Sequence, residues 1–124
     1  MTTITEDYVS FEVAKLLKEK GFPQSTFRCH YIIDGNSHYK SFKNRCGFGN
    51  YDIIAPTLQI AMKWLREVYS LHIWIGHAAG KVLSWYYEIH GISDGEVKHI
   101  SGVQCGSYEI ACESAIKYCL ENLI

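Results

Sequence analysis

Three observations predict an α+β fold with three helices and an antiparallel or mixed sheet of four to six strands. Apolar residues recur at helical spacing in three separate stretches. The intervals between them are rich in β-branched and aromatic residues and are punctuated by Asp, Asn and Gly. Two of the helical stretches also share a pattern, since "AMKWLRE" at 61–67 matches "AIKYCLE" at 115–121 in Ala, Lys and Glu. At 124 residues the chain is expected to form one domain, residues 1–124.

The first helix is expected in "SFEVAKLLKEKGF". Ser10 suits the N-cap, where a side-chain oxygen accepts from a backbone N–H that has no partner inside the helix. A start at Thr5, with Glu6 and Asp7 in the first turn, is the alternative. Val13, Leu16 and Leu17 form the apolar stripe. Gly21 can take the left-handed conformation that ends a helix, and Phe22 can then fold back on Leu17.

A hairpin follows, in which "FRCHYII" turns at "DGN" and returns as "SHYKSF". "KNRCGFGNY" reads as a loop, and "YDII" as a short strand. Pro56 fits the first turn of the second helix, where a missing N–H costs nothing. Leu58, Ala61, Met62, Leu65, Val68 and Tyr69 give that helix its stripe. In "LHIWI", Leu71, Ile73 and Ile75 alternate onto one strand face. "VLSWYYEIH" pairs with it across "GHAAGK", and "VKHISGV" supplies a weaker third strand. Ser107 caps the last helix, whose face is Cys112, Ala115, Ile116, Cys119 and Leu123.

The chain thus reads as a helix followed by two hairpin-then-helix units. Neither unit alone buries both faces of its elements, so the strands are expected to merge with the helices on one side. A shared packing problem accounts for the matching helices as well as a duplication does.

Hydrophobic residues make up 48% of the chain and charged ones 20%, enough for a core without staples. The formal net charge of −1 gives no global attraction to nucleic acid or anionic lipid. Five cysteines, an odd number with no C-x-x-C spacing, argue against a secreted disulfide framework. "MTTITEDYVS" lacks the basic and apolar runs of a signal peptide, and no apolar segment approaches the ~20 residues of a membrane span. Cytoplasmic localisation with no membrane partner is the expectation.

"SFEVAKLLKEKGF", "APTLQIAMKWLRE" and "YEIACESAIKYCLENLI" together resemble a group of small uncharacterised proteins. These are encoded by gut Bacteroides-type bacteria and by their phages or prophages. The similarity covers the helices, about a third of the chain. It implies a shared scaffold with variable strands and carries no activity, cofactor or site residue.

No motif marks a catalytic residue, a metal site or a cofactor. The six histidines all fall in strand or turn sequence. His72 and His77, five positions apart, lie on opposite faces of one strand. His30 and His38 are placed to meet across the first hairpin, yet Cys29 beside them points the other way. Cys112 and Cys119 belong to the core as small hydrophobes. A non-enzymatic protein is the expectation.

Two surfaces stand out. On the second strand pair, His72, Trp74 and Tyr86 face away from the core positions. Tyr and Trp so placed are typical of interface anchors, which predicts a homodimer or a host protein as partner. The alternative is nucleic acid held by the hairpin at 27–48, through Arg28, Tyr39, Lys40, Lys43 and Arg45. There cations would meet phosphates and aromatics would lie under bases. The competing reading is a hairpin whose aromatics pack while its charges are solvated.

Overall fold

The computed structural model describes residues 4–24, 29–35, 37–42, 52–80 and 82–124. They fall into two units, Met1–Thr57 and Leu58–Ile124, each with its own sheet. Among the described residues the α+β class, three helices and antiparallel strands are as expected. The six strands do not merge into one ladder but form two three-stranded sheets. The loop read at 43–51 lies outside the described residues.

In the first unit, Ser10 Oγ accepts from Val13 N–H at 3.3 Å and opens α1 (Phe11–Glu19). Gly21, at φ 94°, closes it. Its N–H donates to Lys18 O, and Phe22 N–H donates to Leu17 O at 2.9 Å, the paired bonds of a Schellman end. Val13, Ala14, Leu17 and Phe22 are buried, and α1 packs on β3 (Asp52–Ile54).

The sheet runs β2 (Ser37–Ser41), β1 (His30–Asp34), β3, antiparallel throughout. Asp34 pairs with Ser37, and Gly35 between them sits at φ 62°. That register sets His30 opposite Ser41 and His38 opposite Ile33, so the two histidines do not meet as expected. His38 instead stacks on Phe11, ring centroids 3.9 Å apart. The central strand β1 is covered on both faces, since neighbours His30 and Tyr31 are both buried. The Tyr31 hydroxyl donates to Val9 O at 3.0 Å.

Pro56 sits two residues ahead of α2 (Leu58–Tyr69), not in its first turn. Thr57 bridges to Tyr8 and Pro56 O accepts from Val9 N–H, which holds this stretch extended.

The second unit runs α2, β4 (Leu71–His77), β5 (Trp85–Gly91), β6 (Val97–Ile100) and α3 (Tyr108–Tyr118). The strands pair in the order β4-β5-β6. β4 and β5 set Leu71 opposite Gly91, Ile73 opposite Ile89 and Ile75 opposite Tyr87. These positions form the inner face. Helix α2 contacts β4, α3 contacts β5 and β4, and the helices contact each other. The two matching helices therefore solve one packing problem on one sheet.

Leu65, Ile89, Ile116 and Leu120 are fully buried here. Each such side chain contributes roughly 1.5–3 kcal/mol by leaving water. Val68, expected in the stripe of α2, is exposed. At 100° per residue it lies about 70° from the stripe centre, whereas Tyr69 lies near that centre. Leu123 is also displaced from the core: a π-helical turn over Cys119–Leu123 shifts the phase and buries Leu120 instead. Strand β5 starts later than expected, because Ala78 N–H to Ser84 O closes the ladder and leaves Val82 and Leu83 exposed in the connection.

Cys29, Cys105, Cys112 and Cys119 are buried free thiols. Burial pushes the Cys112 thiol up from 9.0 to about 11 and the Cys119 thiol up to about 12. The unfolded chain therefore loses these protons first, from about pH 9 upward. Stability is full below that pH and declines as pH rises toward 12. Urea melts at pH 8 and above pH 9 should show this decline, and a thiol reagent at pH 8 should label Cys112 and Cys119 only on unfolding. Rapid labelling of both in the folded chain would contradict their place in the core.

Candidate functional site

Inner positions of β4 and β5 are odd-numbered, so even positions form the opposite face of the sheet. His72 pairs with His90, Trp74 with Glu88 and Gly76 with Tyr86. All three residues predicted from sequence, His72, Trp74 and Tyr86, lie on this outer face. Trp74 and Tyr86 meet edge to face, centroids 5.7 Å apart. His77, by contrast, pairs with Trp85 on the inner side, its ring 4.6 Å from the indole.

Gly76 explains the lie of Tyr86. A methyl group at position 76 would run into the far end of the Tyr86 ring. The ring thus covers a bare stretch of β4 backbone and is steered toward Trp74, the way aromatics cover glycine on an adjacent strand.

Sequence reasoning does not find the third column of this face. Val97 and Ile100 are three positions apart, and strict alternation would send them to opposite sides. A bulge between Ile89 and His90 resets the register, so that Ile100 pairs with Glu88 and Val97 with His90. Both are more than half exposed, at 56% and 55%, and Trp74 is 44% exposed. No signal in the local sequence announces the bulge.

A shallow hollow of about 270 Å³ is lined by His72, Trp74, Glu88 and His90. The imidazoles lie 6.5 Å apart, and His90 Nε2 is 3.7 Å from Glu88 Oε1. That nitrogen is enclosed and makes no hydrogen bond among the described residues. Among the same residues, no three His, Cys, Asp or Glu side chains come together as metal ligands do.

Of the alternative nucleic-acid residues, Arg28, Lys43 and Arg45 lie outside the described residues. Tyr39 and Lys40 are exposed on β2. Lys40 Nζ lies 5.8 Å from the centre of the Tyr31 ring, and Lys40 lines a hollow shared with Glu6 and Asp7.

Comparison with protein-family models, curated proteins and solved structures returns no match. Among the described residues no helix is long and apolar enough to cross a membrane.

The geometry of the face yields a test through Gly76→Ala. The added methyl must displace the Tyr86 ring, whose far end can swing on an open surface. The melting temperature should change little, while the Trp74 indole resonance shifts as its edge contact is lost. An unmoved indole resonance would contradict the packing of Tyr86 over Gly76.

Proposed function

We propose that this chain is a non-enzymatic binding protein that works through protein–protein contact on the outer face of the β4-β5-β6 sheet. The observation that carries the reading is the exposure of Trp74, Val97 and Ile100 together on one sheet face. Both helices of this unit pack on the other side. Scattered apolar residues need no explanation, but a contiguous set anchored by an indole fits an interface core. Tyr86, held over Gly76, presents a second rigid aromatic at low entropic cost.

Nucleic acid binding by the first hairpin is the weaker reading. The two described candidates offer one cation, and that cation shares its hollow with two carboxylates, which repel phosphate. A cytoplasmic setting fits the four buried free thiols, which an oxidising compartment would put at risk.

Trp74→Ala tests the proposal. Truncating a central aromatic anchor should weaken partner binding by about 2 kcal/mol, or roughly thirtyfold. The fold should lose much less, because the indole is already half in water. Binding affinity and the thermal melt of the same variant separate the two effects. A collapsed fold with no separate binding defect would overturn the proposal, and so would a steep loss of parental affinity with added salt, the mark of phosphate contacts.

A further inference from the structure

We infer that the partner of this face is a second copy of the same chain, packed sheet against sheet around a two-fold axis. The inference rests on the binding role proposed above and adds its occupant. Two adjacent cross-strand rows carry the argument: Trp74, Glu88 and Ile100, and beside them His72, His90 and Val97. A two-fold axis between the sheets, perpendicular to β5 and passing between these rows, exchanges them. Each Glu88 then faces the second copy's His90, each Trp74 faces its His72, and each Ile100 faces its Val97.

The match is one of charge as well as shape. An axis along β5, or one through the Glu88 row, would set Glu88 against itself, and like charges brought together out of water are costly. The exchanged arrangement alone among these gives each carboxylate an imidazole of its own chain, at 3.7 Å, and another from the second copy. The rows beyond also agree in character. Ile92 follows Gly91, its N–H bonded to Ser70 O, and is 52% exposed at the end of the face where Tyr86 of the second copy would lie.

Size decides how strong the pairing is. β4 and β5, of seven residues each, and β6, of four, together cover roughly 300 Å² in projection at ordinary strand spacings. A standard interface buries about 800 Å² per partner. The dimer is therefore weak and forms at high concentration, with a large share of its affinity on the central rows.

Protonation follows from the same contacts. The titratable groups on this face are His72 from β4 and Tyr86, Glu88 and His90 from β5. From β6 the face receives Val97 and Ile100, while Lys98 is held by Asp94 and Glu96 at the β5–β6 turn. Enclosing Glu88 favours a charged imidazole beside it, so association takes up protons.

Sedimentation equilibrium of the full chain up to about 1 mM, the ~4 kcal/mol end of the affinity scale, is the test. The parent should dimerise more strongly at pH 6 than at pH 8. Glu88→Arg and His90→Glu should each weaken self-association by about tenfold or more, because each sets like charges across the axis. An equimolar mixture of the two variants should recover it, since the guanidinium introduced in one copy then meets the carboxylate introduced in the other. Failure of the mixture to recover, with both variants folded by circular dichroism, overturns the arrangement. If either variant does not fold, the parental pH dependence decides, and equal affinity at both pH values overturns the inference. A parent that stays monomeric at both pH values removes the second copy as occupant, yet leaves Trp74→Ala free to test the face against a different protein.

Discussion

Two helices saturate one face of a three-stranded sheet. Strands lie about 4.8 Å apart and packed helices about 8–10 Å apart, so three strands and two helices span similar widths. In the second unit both helices go to the same side, because β4 and β5 carry their aliphatic residues at odd positions only. Leu71, Ile73, Tyr87 and Ile89 are buried there. The even positions are left to other work. The exposure of Trp74, the aromatic cover over Gly76 and the His–Glu hollow are all consequences of that one-sided arrangement.

The first unit shows the contrast. Its central strand β1 buries consecutive residues, His30 and Tyr31, and so is covered on both faces. Among its described residues there is no bare sheet surface comparable to that of the second unit. Its exposed aromatic and basic positions sit on the edge strand β2, where Lys40 lies near carboxylates. A binding role is therefore better supported on the second sheet than on the hairpin that draws the eye in the sequence.

Much of the fold is legible from local chemistry. Ser10 and Ser107 are both N-caps, accepting at 3.3 and 3.1 Å, and Gly21 ends its helix through left-handed geometry. Each of these depends on a few neighbouring residues. The division of strands between two sheets is not legible, because it turns on which helix covers which strand. The outer face is half legible. Alternation in "LHIWI" and "WYYEI" places Trp74 and Tyr86, but Val97 and Ile100 reach the same side only through a bulge that alternation cannot foresee. Leu123 escapes its stripe for a similar reason, since a π-helical turn changes the period the stripe relies on.

Recognition is the role proposed for the face. The face joins rigid aromatics and aliphatics to one carboxylate beside a pair of imidazoles. The central claim is that this face is open in the isolated chain. It is tested most directly by a variant with Trp64→Phe and Trp85→Phe, which leaves Trp74 as the only indole. Its fluorescence is measured in dilute solution. Red-shifted emission, quenched by iodide to a substantial part of the extent seen for a free indole, is the predicted result. Blue-shifted emission that iodide leaves untouched would place Trp74 under cover and contradict the account.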